Sequence, residues 1–287
     1  MQKIKQMLAV IVLYKVRAEE SVAWPRLARI MQSDETTAAA IDVMICDNTP
    51  WEQLAPAGFD GLYLRDTTNP GLAKSYNIAL GRAAAMQTPW LLLLDQDTSL
   101  TAEYVAEAVA LAESLRGDEQ IAAIVPKLVQ DGDVLSPHLS LTFRHPRSLD
   151  RKSYGTSSAV RIHPYNSGAV VRVSALQAIG GFPETFWLDY LDHATFQALQ
   201  SRGGWIFVMH SMLEHELSSN ETERPDDEAY VARQQNVLEA EYAFYRDYGT
   251  PQDRIYYHAR MFWRALKALC EGSPARSARL LKVAIRL

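Results

Sequence analysis

Two aspartates directly behind an apolar segment are the strongest chemical feature of the sequence. Asp95 and Asp97 follow the run 90–94, which has the composition of a buried strand. Alternate residues of an extended segment point the same way, so both carboxylates would face one site and repel each other unless a cation lay nearby. Mg²⁺ or Mn²⁺, held by carboxylates and phosphate oxygens, would neutralise a diphosphate leaving group. The pair therefore predicts a divalent metal site, with a helix cap or a solvated loop as the alternative.

The elements that must position these carboxylates alternate along the chain. Short apolar segments typical of buried strands occupy 8–14, 41–46, 61–64, 90–94 and 121–125. Helical spacing of apolar residues occupies 19–31, 71–86 and 102–115, and Thr101 or Ser99 could cap the third helix. This alternation predicts a mainly parallel sheet, in which ligands bind outside the carboxyl ends of the strands.

Two further strand ends carry information about phosphate and nucleotide binding. Tyr14 and Lys15 follow the first strand without a glycine-rich turn, which excludes a dinucleotide fingerprint and a P-loop. After the second strand, Asp47, Asn48 and Thr49 form a polar turn that could hydrogen-bond a base or a ribose. An ordinary Asx turn is the alternative interpretation of this triplet.

Taken in order, these segments resemble family 2 glycosyltransferases of the GT-A type. The segments that carry the resemblance are Val10-Ile11-Val12-Leu13-Tyr14, Asp47-Asn48-Thr49, Asn69-Pro70-Gly71-Leu72-Ala73-Lys74-Ser75-Tyr76-Asn77, Leu94-Asp95-Gln96-Asp97, Asn166-Ser167-Gly168-Ala169 and Gly180-Gly181-Phe182-Pro183-Glu184-Thr185-Phe186-Trp187-Leu188-Asp189-Tyr190-Leu191-Asp192. The Asp-Gln-Asp form and the segment 69–77 are most similar to the bacterial rhamnosyltransferase branch. The likeness covers roughly residues 7–217.

The resemblance implies an α/β fold, with a Rossmann-like, mainly parallel mixed sheet flanked by helices and a helical C-terminal extension. We expect a GT-A catalytic domain over 1–220, with the nucleotide-binding half in about 1–100 and the acceptor-binding half in about 101–220. Residues 221–287 would form the helical, basic extension.

The resemblance also implies roles for individual residues in donor binding. The residues expected to bind the nucleotide are Tyr14, Asp47, Asn48, Lys74, Asn77, Asp95 and Gln96. Asp97 would be the principal carboxylate ligand of the metal, with Asp95 and His215 as further ligands. His215 is expected after a strand over 205–209 and a short turn, and a surface histidine is the alternative; His210 fits the family spacing less well.

On the acceptor side, the resemblance assigns the catalytic base to Asp192, which would take the proton of the acceptor hydroxyl opposite the leaving nucleotide. Asp189 would bind the acceptor or support the base, although either carboxylate could merely complement a helix N-terminus. Trp187 and Asn166 are expected to bind the acceptor, with simple packing as the alternative for Trp187. Ala194 stands where family members commonly carry a second acid, which weakens the prediction of a supporting carboxylate network.

The predicted activity is a single inverting displacement without a covalent intermediate. By the resemblance, the donor would be dTDP-rhamnose or another dTDP- or UDP-sugar, and the acceptor a glycan or lipid-linked glycan in cell-surface polysaccharide synthesis. Three alternatives remain: a haloacid-dehalogenase-type phosphatase using Asp95 and Asp97, a sugar nucleotidyltransferase, and an inactive nucleotide-sugar-binding protein. The phosphatase pair normally opens its fold, and the nucleotidyltransferase loop after the first strand is missing here.

Composition and charge bound the location and partners of the protein. The 287 residues are 48% hydrophobic and 22% charged, and no run of about 18 apolar residues predicts a transmembrane helix. Cys46 and Cys270 show neither disulfide nor zinc spacing, so we expect a cytoplasmic protein.

The formal net charge is −5, yet residues 254–287 carry eight Lys or Arg against one Glu. This basic, amphipathic tail predicts peripheral contact with the inner face of an anionic membrane, or else packing on protein; a nucleic acid partner is excluded by the acidic remainder.

Overall fold

The computed structural model describes residues 5–139, 147–157, 161–214 and 228–286. In this part of the chain, a nine-stranded sheet has helices on both faces, and three further strands form a separate small sheet. The strands are β1 (Met7–Leu13), β2 (Ile41–Asp47), β3 (Leu62–Arg65), β4 (Trp90–Asp95), β5 (Ile121–Gln130), β6 (Asp133–Ser136), β7 (His138–Leu139), β8 (Arg147–Ser148), β9 (Gly155–Ser157), β10 (Ile162–His163), β11 (Val170–Arg172) and β12 (Trp205–Glu214). The helices are α1 (Ala23–Ser33), α2 (Glu35–Ala40), α3 (Leu72–Ala85), α4 (Ala102–Ser114), α5 (Val173–Ala178), α6 (Leu191–Ser201), α7 (Glu228–Tyr248), α8 (Pro251–Cys270) and α9 (Pro274–Ala284).

The parallel part of the sheet places its strand ends at one edge. The order is β3-β2-β1-β4-β11-β5-β12-β9, with β6 paired to β5. Leu13 of β1 lies beside Asp47 of β2, and Val12 lies beside Asp95 of β4. The three segments that the sequence predicts to follow strands therefore begin side by side, as expected for the carboxyl edge of a parallel sheet.

An antiparallel strand interrupts the parallel order. β11 pairs antiparallel with β4 on one side and with β5 on the other. Sequence reasoning did not identify this three-residue strand because its apolar run is too short to show a period. Its position carries residues 166–169 alongside β4, where Leu93 N donates to Ala169 O and Gly168 N donates to Leu93 O, each at 2.9 Å.

Both faces of the central strands are buried. Leu8 and Val10 of β1 pack in one cluster with α3, whereas Met7, Ala9 and Ile11 pack in the other with α1 and α4. This alternation is the period of an extended strand, and burial on both faces explains why these strands are continuous apolar runs. The predicted fold class is confirmed.

Several boundaries differ from the sequence predictions for local reasons. The first helix starts at Ala23 after a 3₁₀ turn at Ala18–Glu20, rather than at residue 19, which places Pro25 in its first turn, where a missing N–H is tolerated. β5 continues past Pro126, where the strand was expected to stop. Pro126 is tolerated because the register of β12 shifts between Val208 and Met212 opposite it. Thr101 caps α4, accepting from Tyr104 N.

The C-terminal extension packs onto the α/β part of the chain rather than standing apart. Phe244 of α7 contacts Phe186 with ring centroids 6.5 Å apart, and Tyr245 stacks on Tyr257 of α8 at 4.6 Å. Buried Glu241 of α7 pairs with Arg260 and with Arg264 of α8. The predicted boundary at 220 and 221 lies outside the described residues. None of the described helices has the length and apolar character needed to cross a bilayer.

Arg172 at the end of β11 is a buried cation whose donors are used by backbone carbonyls. Its guanidinium donates to Ile121 O at 2.7 Å, to Leu115 O and Asp118 O at 2.8 Å each, and to Arg116 O at 3.1 Å. It also lies 4.1 Å from the centre of the Trp90 ring. Arg172 therefore joins β11 and β4 to the loop between α4 and β5.

We expect Arg172→Leu to lower the free energy of unfolding by about 3–5 kcal/mol, because it strands several buried carbonyls without donors. Urea denaturation measures this change. Glu119→Gln is the control: Glu119 approaches Arg172 at 3.8 Å but is 75% exposed, so its loss should cost less than about 1 kcal/mol. Equal effects of the two changes would contradict a structural role for the carbonyl cluster.

Candidate active site

The Asp95–Asp97 segment ends a strand and turns at once. Asp95 is the last residue of β4, and Gln96 and Asp97 lie in a turn closed by Thr98 N, which donates to Asp95 O at 3.1 Å. Thr98 Oγ1 accepts from Asp95 N at 3.0 Å. The expectation that Asp95 and Asp97 alternate along one extended segment is therefore wrong: the turn, and not the period of a strand, sets the direction of Asp97.

Asp95 is half-buried and held by side chains from two other segments. Its Oδ2 accepts from Ser167 Oγ, and its Oδ1 lies 3.4 Å from the hydroxyl of Tyr76. Burial, together with the nearby carboxylates of Asp95 and Asp192, raises the pKa of Tyr76 well above its ordinary value. Tyr76 therefore stays a neutral donor beside Asp95.

Asp97 differs from Asp95 in being exposed. Across the described ranges, its carboxylate has no hydrogen bond or ion pair. No group of three or more His, Cys, Asp or Glu side chains in the same ranges could hold a metal ion. Mg²⁺ and Mn²⁺ do not need such a group, since one or two carboxylates with phosphate oxygens and water suffice. The exposed carboxylate of Asp97 has the oxygen donors that such an ion takes, whereas the oxygens of Asp95 already contact Ser167 and Tyr76.

Gln96 ties the aspartate turn to its neighbours. Its side-chain Oε1 accepts from Tyr14 N at 2.8 Å, and its backbone O accepts from Val22 N at 2.8 Å and Ala23 N at 3.1 Å at the start of α1. Tyr14 itself is 40% exposed, and the ammonium of Lys15 lies 5.0 Å from the centre of its ring. Gln96 thus positions the Tyr14 loop, a contact that sequence reasoning did not foresee.

Asp47 lies beneath the surface rather than in the open site. Its Oδ1 accepts from Thr49 N at 2.9 Å and from Gln53 Nε2 at 3.1 Å, and its Oδ2 accepts from the Tyr63 hydroxyl at 2.7 Å. The bond to Thr49 N is the Asx turn that the sequence left open. Asn48 is also buried, and its amide donates to Ser75 Oγ of α3 at 3.0 Å. Both side chains hold the strand-end loops in place.

The two residues predicted on α3 are placed differently. Lys74 is exposed in the first turn of the helix. Asn77 instead faces the loop between α5 and α6: its Oδ1 accepts from Phe182 N at 2.8 Å, and its Nδ2 donates to Phe182 O at 2.9 Å and to Glu184 Oε1 at 3.1 Å. Gly181, at φ +90°, approaches Asn77 so closely that a Cβ would lie 2.6 Å from its Oδ1. Asn77 therefore joins the two halves of the fold.

Trp187 packs on the glycine that begins α3. A Cβ at Gly71, whose φ is +90°, would lie 2.2 Å from the indole, and Trp187 Nε1 donates to Asn69 O at 3.4 Å. The ring is nevertheless 41% exposed. Trp187 thus packs on the donor segment and still presents a surface to solvent, which combines the two interpretations that the sequence allowed.

Asp189 and Asp192 open α6, as the sequence predicts. Tyr190, in the left-handed region at φ +62°, precedes the helix, and Asp192 Oδ1 accepts from His193 N at 2.7 Å. Asp189 pairs with Arg233 of α7 at 2.5 Å. Burial raises the pKa of Asp189, and the Arg233 guanidinium opposes that rise. Of the Asp189 and Asp192 carboxylates, only that of Asp192 has no cation partner among the described residues.

Asn166 and Ser167 reach the site through the pairing of β11 with β4. Ser167 contacts Asp95, and Asn166 is buried. The side-chain oxygen of Asn166 has no hydrogen-bond partner among the described residues. Its predicted acceptor role stays a prediction, and the contact of Ser167 with Asp95 is one that the sequence did not suggest.

A histidine cluster beside Asp192 was missed at the sequence level. His138, His163 and His193 have ring centroids 5.5–6.0 Å apart, and Tyr165 lies 6.1 Å from His193. Burial lowers the pKa of His138 to about 4 and of His163 to about 3, so both are neutral at physiological pH. No sequence motif predicts this cluster, because His138, His163 and His193 lie on three separate segments.

His215, the predicted third metal ligand, lies outside the described residues. The strand before it runs through to Glu214, so the turn expected between 209 and 215 is absent. His210 lies within this strand. Its ring stacks on that of Tyr154 with centroids 3.5 Å apart, and its backbone N–H donates to Glu107 Oε1 at 2.8 Å.

Comparison with known proteins identifies the fold but no close relative. The sequence matches no protein-family model and no curated protein. Among solved structures, S. aureus TarS aligns with a TM-score of 0.55 at 12% identity over 97% of this chain and 55% of that chain. TarS 1-349 in complex with UDP-GlcNAc aligns with a TM-score of 0.50 at 13% identity over 97% of this chain and 90% of that one. The chain thus spans about half the length of full TarS and has the mixed, mainly parallel α/β fold of GT-A-like glycosyltransferases.

Proposed function

We propose that the protein is an inverting glycosyltransferase that moves a sugar from a nucleotide diphosphate donor to a hydroxyl acceptor. The observation that carries the proposal is the position of Asp97, an exposed carboxylate at the carboxyl edge of the parallel strands, beside the Tyr14 loop and Asp95. Open α/β sheets bind ligands at this edge. A similar fold was crystallised in complex with UDP-GlcNAc, which supports a nucleotide-sugar donor.

In this proposal the donor nucleotide lies over the ends of β1 and β2. The exposed ring of Tyr14 offers a surface for the base, and the exposed ammonium of Lys74 offers a charge for the diphosphate. Asp47, Asn48 and Gln96 act by holding these loops, because their side chains already bond within the chain. Asp47, Asn48 and Gln96, which the sequence resemblance assigned to nucleotide binding, therefore act here as positioning residues.

Asp97 and Asp95 would hold Mg²⁺ or Mn²⁺. When bound, the ion supplies positive charge that stabilises the departing diphosphate. The role of His215 as a further ligand remains a prediction. Lys74 lies at the first turn of α3, where the positive end of the helix dipole adds to its charge.

Asp192 is the proposed base. As the acceptor oxygen bonds to the anomeric carbon, the bond from that carbon to the diphosphate oxygen breaks, and Asp192 takes the hydroxyl proton. Asp189 is a poorer base because Arg233 pairs with it; it orients the acceptor side instead. Trp187 and Asn166 would contact the acceptor.

For the donor sugar we retain L-rhamnose from dTDP-rhamnose, which rests on the sequence resemblance to rhamnosyltransferases, and for the acceptor a glycan or lipid-linked glycan at the cytoplasmic face of the membrane. A phosphatase of the haloacid dehalogenase type fits less well, because Asp95 is held by Ser167 and Tyr76 and lies on the fourth strand of the chain. An inactive binding protein would not need a base such as Asp192.

We also propose that the extension contacts an anionic membrane. α8 buries one face against α7 and α9, whereas its opposite face exposes apolar side chains: Ile255, Phe262, Trp263, Leu266 and Leu269. Exposed Lys267 borders this face, and exposed Arg276 and Lys282 lie on α9. An apolar stripe with basic neighbours suits the interface of a bilayer that contains acidic lipids.

Calorimetric titration of dTDP, UDP and GDP, each with and without Mn²⁺, tests the donor site. We expect one nucleotide to bind in a metal-dependent way, and Asp97→Asn to abolish that dependence because the exposed carboxylate is lost. Asp42→Asn is the matched control, since Asp42 lies on β2 near the opposite edge of the sheet. Absence of binding by all three nucleotides would overturn the proposed function.

Asp192→Asn tests the base. We expect nucleotide binding within twofold of the parent, and a loss of transfer of about 10²–10⁴-fold, the range for a general base. The rate is measured as nucleotide released from the matching nucleotide-sugar with methyl glycosides as acceptors. Transfer at near the parent rate would show that another group takes the proton.

Flotation with liposomes tests the membrane contact. The protein should float with phosphatidylglycerol vesicles and remain below with phosphatidylcholine vesicles, and high salt should reduce flotation. The exposed triple change Phe262→Ser, Trp263→Ser, Leu266→Ser should abolish it, while Trp51→Ser with Leu54→Ser, equally exposed elsewhere, should not. Equal flotation of the two variants would refute the assignment of this face.

A further inference from the structure

A cavity of about 510 Å³ lies between the loop that precedes α6 and the C-terminal extension. The loop contributes Trp187 and Asp189, α7 contributes Asn236, Glu239 and Tyr242, and Arg286 closes it from beyond α9. Its volume is within the range of small-ligand sites. Trp187 and Asp189, which the proposed function assigns to the acceptor side, both line the cavity, and the proposed base Asp192 follows Asp189 by three residues.

Two aromatic rings in this cavity are held in place by their neighbours. Trp187 packs against Gly71 and donates to Asn69 O. Tyr242 lies 5.4 Å from the Arg286 guanidinium and 5.9 Å from that of Arg246. Fixed ring faces are surfaces on which the C–H face of a sugar can stack, with little loss of side-chain entropy on binding.

The charges around the cavity are paired with one another. Arg286 donates to both carboxylate oxygens of Glu239, Arg246 donates to both oxygens of Asp247, and Arg233 pairs with Asp189. Such pairs offer donors and acceptors to hydroxyl groups while presenting no unbalanced charge. A phosphate or a uronate would have to break one of these pairs, whereas a neutral sugar would not.

We propose that this cavity binds a neutral sugar unit of the acceptor, and that the C-terminal extension forms one wall of the acceptor site. The inference rests on the proposed glycosyltransferase function and adds to it the acceptor class and the residues that select it. Trp187, which is 41% exposed, supplies a stacking face, Tyr242 with its two arginine neighbours forms the opposite part of the lining, and the Glu239–Arg286 pair supplies hydrogen bonds to hydroxyls. The extension then has two roles on different surfaces: α7 and Arg286 face the acceptor, and the exposed face of α8 contacts the membrane.

Saturation-transfer NMR tests the cavity with methyl glycosides of rhamnose, glucose and N-acetylglucosamine, and with glucuronic acid and glucose 1-phosphate. We expect at least one neutral glycoside to bind and Tyr242→Ala to weaken it about tenfold, with nucleotide affinity changed less than twofold. Asn236→Trp, which fills the cavity from an exposed position on α7, should block binding even if Tyr242→Ala fails to fold. Trp51→Ala, an exposed aromatic outside the cavity, is the control and should have no effect.

Binding of the acidic probes alone, no binding of any glycoside, or binding that survives Asn236→Trp would overturn the inference. The proposed function fails separately. Glycoside binding that depends on Asn236 in a protein that binds no nucleotide would keep the sugar cavity and remove the transferase. Nucleotide binding without glycoside binding would keep the proposed transferase and remove the sugar cavity.

Discussion

The antiparallel pairing of β11 with β4 is the constraint on which the rest of the site depends. Without it, Asp95 would end a parallel strand with nothing beside it on one flank. With it, Ser167 reaches Asp95, Asn166 lies buried next to them, and Tyr104 donates to Gly168 O from beneath. Arg172 anchors the other end of this short strand by satisfying carbonyls that would otherwise be buried without donors.

A second set of contacts holds α3 against the loop between α5 and α6. Asn77 of α3 exchanges hydrogen bonds with both backbone groups of Phe182, and Trp187 packs on Gly71 at the start of the same helix. Both contacts need a glycine, because a Cβ at Gly181 or Gly71 would overlap the partner. Together with the contact of Tyr76 with Asp95, these contacts make α3 the element that joins the end of β4 to the loop before α6.

The C-terminal extension packs through a buried interior and leaves one apolar helix face exposed. Its buried interior is held by Glu241, which pairs with Arg260 and Arg264, and by the stacking of Tyr245 on Tyr257. Buried charges of this kind are costly unless both are satisfied, so the pairs fix how α7 and α8 pack. That packing turns α7 toward the loop of Trp187 and leaves the apolar face of α8 outward, which would place an acceptor site and a membrane contact on one rigid element.

The sequence determined the parallel strands, the helices α1, α3 and α4 between them and the helical tail, because their apolar periods are local and span several turns, whereas the six-residue α2 is too short to show a period. It also located the strand ends that carry Tyr14, Asp47 and Asp95. Tertiary structure decided what the side chains there do. Asp47 turned inward to Thr49, Gln53 and Tyr63, Asn77 turned to Phe182, and the turn at Gln96 replaced the expected extended segment.

The short strand β11, the histidines beside Asp192 and the cavity against α7 also had no sequence signal. Each depends on residues far apart in the chain, whose pairing is chosen by burial and by hydrogen bonds that must be satisfied in the folded state. Periodicity reports only on neighbours along the chain. Which distant segments meet, and which polar groups remain unpaired to meet a substrate, is decided by packing alone.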